Sequence, residues 1–451
     1  MPVIHADTAL LPKGWAKDVT LTIGSDGRIA SMDPEPADMH VGILLPAMQN
    51  VHSHAFQRAM AGLSERRGKT GQDSFWTWRQ LMYRFLDHLT PEDVQSISAL
   101  VQMEMLEAGN ASVGEFHYLH HQPGGAPYAD LSEMGQRICA ATEQTGIGLT
   151  LLPVLYQQGG VDGRSLTAGQ IRFGNDLERF QLLMDAVQSA FSHLPGDCIL
   201  GAAPHSLRAV TPAALAELTD MVRGPLHMHL AEQIAEVEEI EAAYGARPVR
   251  WMLEHQPPDS RWCLIHCTQM LPDESIDLAA TGSVAGLCPI TEASLGDGIF
   301  DGNRWLNAGG AVAIGSDSNI RISLAEELRQ LEYSQRLRDR ARAVLAHPGG
   351  STARRLYDAA LSGGARALGR TSGRIALGQL ADLVALDETD PDLIGRTDDS
   401  VLDTWVFATG DRLVLDVWSA GRHVVRNGKH VERQAILSAY RKTMARLAEV
   451  I

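Results

Sequence analysis

Eight short apolar runs alternate with amphipathic stretches from about residue 43 onward, and this alternation constrains the fold more than any other feature of the chain. The runs are GILLPAMQN, ASVGEF, GLTLLPVLY, CILGAAP, GPLHMHL, WCLIHC, SVAGLCP and GAVAIGSD. Each is short, β-compatible and largely apolar, as a strand covered on both faces must be. The intervening stretches carry a helical period. The clearest covers 91–108: Thr90 caps it, Pro91 opens it, and Glu92 and Asp93 suit the positive end of the helix dipole. Val94, Ile97, Val101 and Met105 line one face, and Gly109-Asn110 stops the helix. Further amphipathic stretches are read at 131–145, 177–192, 212–222, 233–254, 272–280 and 302–308, with a long charged helix after the eighth run. Eight β-then-α units predict an α/β protein built on a (β/α)8 TIM barrel over 43–370. A doubly wound open sheet is the competitor. It is expected to carry a glycine-rich phosphate turn after an early strand, and the chain has none there.

The two ends read differently. Residues 1–42 and 371–430 are short strands and turns, which predicts a small, β-sandwich-like domain built from both termini; 431–451 reads as a helix. Two long loops, 56–89 after the first strand and 157–175 after the third, are expected to cover or shape a site.

Composition narrows the function. A net charge of −16 argues against a nucleic-acid or anionic-membrane partner, and no apolar run is long enough to span a membrane. The first residues lack the pattern of a signal peptide. The five cysteines are scattered and odd in number, which reads as reduced thiols in a cytoplasmic protein. No lysine lies between Lys69 and Lys429. A Schiff base, or a carboxylated lysine bridging two metals, is therefore excluded from that long central stretch.

In a barrel, chemistry concentrates where strands end. His52 and His54 end the first strand, Glu115, His117 and Tyr118 the second, and His205 and Arg208 the fourth. His229 and then Glu232 follow the fifth, His266 ends the sixth and Asp317 the eighth. Imidazole nitrogen and carboxylate oxygen suit a borderline divalent ion such as zinc, although iron and manganese accept the same set. Residues two apart on a strand face one way, so His52 and His54 can grip one ion that His229 and Asp317 complete. Such an ion makes a nucleophile of water near neutral pH. Glu232 can shuttle protons without being a ligand, and His266 can orient the water or polarise the substrate. Each residue also has a plainer reading. His-x-His alone is a weak signal, Asp317 can serve as a helix cap beside Ser316 and Ser318, and His227 reads as structural. His120 and His121 read as a polar turn. Taken together, the plain readings require several coincidences on one barrel face.

These motifs, HSH, HLAE, IHC and GSDS, with SGRIALGQLADLVALD leading into the terminal domain, resemble the amidohydrolase superfamily. No barrel strand carries a lysine, which points to its mononuclear-metal branch. MQNVHSHAFQRAMAGL, VGEFHYLHH and SDSNIRISLAEELRQLEYSQRLR more closely resemble its formimidoylglutamate deiminase family. That resemblance implies N-formimino-L-glutamate as a small anionic substrate, bound by Gln57, Arg79, Tyr118, His205 and Arg208. Forked guanidinium groups suit its two carboxylates, and in an acidic protein arginines must hold them locally. The implied reaction is hydrolytic deimination in histidine degradation, giving N-formyl-L-glutamate and ammonia. Asp317 takes the proton of the attacking water, His266 holds that water, and Glu232 passes protons to the imino nitrogen. A homodimer is the expected assembly. Two rivals stand beside this reading: a deaminase of the same branch acting on a purine, pyrimidine or triazine ring, and a metal-storing protein without catalysis.

Overall fold

The computed structural model describes residues 1–65 and 75–450, the side chains of 75–77 excepted. The strands are β1 (Val3–Leu11), β2 (Gly14–Ile23), β3 (Ile29–Ser31), β4 (Met39–Pro46), β5 (Met48–Ser53), β6 (Asn110–His117), β7 (Gly148–Leu155), β8 (Ile199–Leu200), β9 (Ala203–Pro204), β10 (Leu226–Leu230), β11 (Trp262–His266), β12 (Val284–Leu287), β13 (Ala311–Ile314), β14 (Leu383–Leu386), β15 (Val414–Ser419), β16 (Arg422–Arg426) and β17 (Lys429–His430). They form two sheets.

β5 to β13 make the barrel, in the order β10-β11-β12-β13-β5-β6-β7-β8 with β9 also paired to β7, every pair parallel. The ring closes at a bridge between Ala202 and Leu226, where His227 N–H donates to Ala202 O at 3.2 Å and His229 N–H to His205 O at 3.1 Å. Every residue of β5, β6, β7, β10, β11 and β12 is buried, which is why these strands read as apolar runs and not as alternating ones. Helices follow in the expected order. Thr90 caps Pro91–Glu107 through a full capping box: its hydroxyl accepts from Asp93 N–H at 3.3 Å, and Asp93 Oδ2 accepts from Thr90 N–H at 2.9 Å.

The structure departs from the sequence reading in five places. The first apolar run serves both sheets: Met39–Pro46 pairs with β1 and β14, and the barrel begins only at Met48, so the chain crosses over at Ala47 and not at residue 43. Periodicity cannot distinguish two successive buried strands from one. The stretch 233–254 is two helices, Ile234–Tyr244 and Pro248–His255, because Gly245 adopts a left-handed cap (φ 73°) and Pro248 starts afresh. The long charged helix stops at Asp339, where Arg340 turns left-handed at φ 52°. The span expected as a loop at 56–89 carries a 3-10 helix, Ala55–Met60, and an α-helix, Phe75–Leu86; its residues 66–74 lie outside the described residues. A helix, Asp399–Phe407, interrupts the C-terminal strands.

The terminal strands form one continuous sheet, β17-β16-β15-β14-β4-β1-β2-β3. Arg370 ties it to the barrel. Its buried guanidinium donates to Asp197 O at 2.6 Å, before β8, and to Asp382 Oδ1 at 3.1 Å, just before β14. Asp382 Oδ1 also accepts from Ala420 N–H at 2.7 Å, and Arg422 shares Asp197 at 2.7 Å. Both carboxylates are thus desolvated and fully engaged. Removing the cation leaves the buried Asp382 carboxylate without a counter-charge, while Asp197 keeps Arg422, so Arg370→Met should lower the unfolding free energy by about 3–5 kcal/mol, measured by chemical denaturation. A loss within the experimental scatter of wild type would show the clamp to be dispensable.

Candidate active site

The site begins at the seam between the last and first barrel strands. A Cβ at Gly315 would lie 2.7 Å from His52 Cβ and 2.8 Å from His52 N, so only glycine allows this approach. Across the seam, Ser316 and Asp317 N–H both donate to His52 O, at 3.1 and 2.9 Å, and His54 N–H donates to Asp317 O at 2.9 Å. Asp317 adopts φ 46°, an uncommon conformation for a residue with a side chain. Asn319 Nδ2 holds it there by donating to Asp317 O at 3.0 Å and to Ser53 Oγ at 3.1 Å. Local strain of this kind persists where the surroundings over-determine it.

Four donor atoms from β5, β10 and the β13 end converge. His52 Nε2 lies 3.1 Å from both His54 Nε2 and His229 Nε2. Asp317 Oδ1 lies 3.6 Å from His52 Nε2 and 3.3 Å from His54 Nε2. Ligands about 2.0–2.1 Å from one ion in a tetrahedron are separated by roughly 3.3 Å, and these four separations are of that order. The tautomers agree. His54 Nδ1 is 3.1 Å from Phe116 O and His229 Nδ1 is 3.2 Å from His205 O. A carbonyl only accepts, so each Nδ1 carries the hydrogen and each Nε2 presents its lone pair inward. Burial lowers the pKa of His52 and His229 well below the ordinary value and that of His54 to about 3, so burial favours the neutral form of all three rings. Burial also pushes Asp317 up to about 7, with the neighbouring His266 opposing and Glu232 and Glu292 adding to the rise. A divalent cation supplies the charge that such a buried carboxylate lacks. The residues present fit a metal ion.

His266 and Glu232 border this cluster. His266 also takes a left-handed backbone, φ 72°, at the end of β11. Its Nε2 lies 3.6 Å from Asp317 Oδ2 and 3.8 Å from Glu232 Oε1, while its Nδ1 is 3.2 Å from Glu292 Oε1. Burial works against its protonation, but Glu232, Glu292 and Asp317 together hold its pKa well above the usual range. Glu232 is fixed through its backbone: its N–H donates to Glu236 Oε2 at 2.9 Å and its carbonyl accepts from Thr268 Oγ at 2.7 Å.

Every predicted site residue except His52 lines one cleft, and His52 is packed beneath it against His54 and His229. Gln57 donates to Tyr118 OH at 2.8 Å, and Arg79 donates to Tyr156 OH at 3.0 Å with its guanidinium 5.3 Å over the Tyr83 ring. His205 and Arg208 stand on the same wall, with Trp78, Tyr156 and Phe173.

Several residues here escaped sequence reading. Glu292, which orients His266 and accepts from Cys288 N–H at 2.8 Å, follows β12, a strand end with no histidine or paired motif to draw attention. Arg172 is buried and donates to the carbonyls of His121, Leu86 and Leu89, so it fastens the C-terminal end of the helix that bears Arg79. His120 and His121 are buried in this packing and do not form a polar surface turn: their N–H groups both donate to Arg172 O, at 3.1 and 3.0 Å. His227 is structural as expected, its Nε2 2.8 Å from Ala367 O.

Removing one converging nitrogen breaks the shell. His229→Ala should weaken divalent-metal binding by more than the roughly 10- to 100-fold typical of losing a ligand's outer partner, measured by elemental analysis after dialysis against a chelator series. Retention of wild-type metal content by this variant would exclude His229 as a ligand.

Comparison with known proteins gives the family. The family model described as Amidohydrolase family matches residues 43–424, and the model for Formimidoylglutamate deiminase HutF, N-terminal domain, matches residues 1–38. Formimidoylglutamate deiminase of Pseudomonas aeruginosa is 46% identical over 461 aligned residues that cover 100% of both chains. Among solved structures, an amidohydrolase from Brucella melitensis is 46% identical, with a TM-score of 0.94 over 99% of this chain and 100% of that one. An adenosine deaminase from Xanthomonas campestris, solved with bound zinc, shares the fold at 22% identity and a TM-score of 0.78 over 99% and 98% of the two chains. The chain belongs to the amidohydrolase family and is a full-length homologue of formimidoylglutamate deiminase.

Proposed function

We propose that the protein hydrolyses N-formimino-L-glutamate to N-formyl-L-glutamate and ammonia, as a step of histidine degradation. The observation that carries this reading is the pair of guanidinium groups, Arg79 and Arg208, lining the same cleft as the metal-ligating cluster in a chain of net charge −16. A dicarboxylate needs such anchors, and forked donors match carboxylates geometrically. The cleft is also aromatic, through Trp78, Tyr118, Tyr156 and Phe173, as a ring-binding deaminase would require; the arginines favour the acyclic diacid. Gln57, Tyr118 and His205 complete the substrate wall.

His52, His54, His229 and Asp317 would hold one divalent ion, with zinc the choice that this donor set suits best. When bound, the ion supplies Lewis acidity and lowers the pKa of water at the site. Asp317 accepts a proton from the attacking water, and His266, between Asp317 and Glu232, fixes the direction of attack on the formimino carbon. Glu232 donates a proton to the imino nitrogen as the new C–O bond forms. The proton held by Asp317 then reaches that nitrogen, the new hydroxyl returns its proton to Glu232 as it becomes the formyl carbonyl, the C–N bond breaks, and ammonia departs while the glutamate nitrogen keeps its formyl group. We place the enzyme in the cytoplasm as a homodimer. Among the described residues no helix is long and apolar enough to cross a membrane, and all five cysteines are free thiols.

Ammonia release from N-formimino-L-glutamate, compared with guanine, cytosine and adenosine on protein of known metal content, tests the substrate class. Turnover confined to the formimino compound is expected, and preferred turnover of a ring would overturn the assignment. Glu232→Gln should cut kcat by about 10²–10⁴-fold while keeping the metal, the range for loss of a general acid–base. An active Glu232→Gln enzyme would remove Glu232 from the proton path. Arg208→Met should raise KM by about 10- to 100-fold, the equivalent of about 1.5–3 kcal/mol for a charged hydrogen bond, with a smaller effect on kcat. An unchanged KM would detach Arg208 from substrate binding.

A further inference from the structure

A second set of metal-type donors lies on the terminal sheet, away from the barrel. β1 and β4 are parallel neighbours in which His5 stands directly opposite His40. Asp7 is two residues beyond His5 on the same strand and faces the same way. The intervening Ile4 and Ala6 point into the core of this sheet, so His5, Asp7 and His40 occupy its outer side. Their side chains are 30%, 46% and 63% exposed, enough for an ion to enter.

The donors are close and oriented. His40 Nε2 lies 2.6 Å from Asp7 Oδ1, His5 Nε2 lies 4.0 Å from the same oxygen, and the two imidazole centroids are 5.1 Å apart. One donor atom from each residue falls within a 4.8 Å group. His5 is braced from the far side: its Nδ1 is 3.1 Å from the hydroxyl of Thr20, its partner across β2. An outer hydrogen bond of this kind fixes ring orientation and leaves Nε2 to a ligand. A fourth group is at hand. Gly42 lies between the pairs Ala6–Val41 and Thr8–Ile43, so it is the neighbour of Asp7 across β4. A Cβ on Gly42 would sit 2.2 and 2.5 Å from the carboxylate oxygens of Glu388, which therefore fills the space beside Asp7 about one strand spacing away. Gly42 has no positive φ, so its role here is to leave that space.

A single exposed His–Asp contact stabilises a fold little. Two imidazoles and a carboxylate on adjacent strands, one ring braced from behind and a second carboxylate beside them, make a facial set for a divalent ion that keeps water in its remaining positions. We propose that His5, Asp7 and His40 form a second site for a divalent transition metal such as zinc, distinct from the one in the barrel, and that an ion there cross-links β1 to β4 on the outer face of the terminal sheet.

The test uses the metal-loaded, active enzyme. Zinc is titrated into wild type, His40→Ala and Asp7→Asn, with uptake followed by calorimetry and elemental analysis, and turnover checked on each preparation. The expected result is one further equivalent of zinc in wild type, at least tenfold weaker in both variants, with turnover retained and a zinc-dependent rise in melting temperature seen only in wild type. Two results would overturn the proposal: no further zinc taken up by wild type at millimolar concentration, or uptake that is equal in all three proteins. The second would assign the binding to other surface histidines.

Discussion

The approach of β13 to β5 is the contact on which the site depends. Gly315 lets the two strands close to a distance that no side chain would permit, and the hydrogen bonds across the seam then place Asp317 against His52 and His54. Each of these groups is buried, and burial is costly for a carboxylate and for any imidazolium. The histidines meet that cost by remaining neutral, their tautomers set by the carbonyls of Phe116 and His205. Asp317 cannot do so without losing its charge, and a cation among the four donors resolves the conflict. The same desolvation that opposes an isolated charge makes the cluster a strong ligand set.

His266 shows the opposite resolution. It is as buried as the ligands, yet it faces three carboxylates, and their combined field outweighs desolvation. Identical side chains at neighbouring strand ends are therefore shifted in opposite directions, decided by what surrounds each ring. In the proposed mechanism that difference separates metal ligation from proton handling in one cleft.

The rest of the molecule positions these groups. Arg172, inserted under the end of the helix Phe75–Leu86, connects the loops after β6 and β7 to the element that carries Arg79. Tyr156 joins the same network, accepting from both Arg79 and Gln170. At the other end of the barrel, Arg370 holds the terminal sheet through Asp197 and Asp382. The two devices are alike in kind: a buried guanidinium whose several donors join segments far apart in sequence.

Much of this was legible before any coordinates. The barrel followed from eight apolar runs, because strands buried on both faces leave a continuous apolar signature, and the helix at Pro91–Glu107 followed from its capping box and period. The candidate metal cluster was legible because histidines and an aspartate recur at strand ends, where a barrel gathers its side chains. Sequence alone determined which residue types were available and at which strand ends. It could not determine where β4 gives way to β5, since two buried strands in succession share one pattern. Nor could it find Glu292 or Arg172, whose roles rest on partners distant along the chain and carry no local period or spacing. It also could not assign the protonation state of any histidine. Those properties come from burial and from the neighbours a side chain meets across strands, and only the tertiary structure decides which neighbours those are.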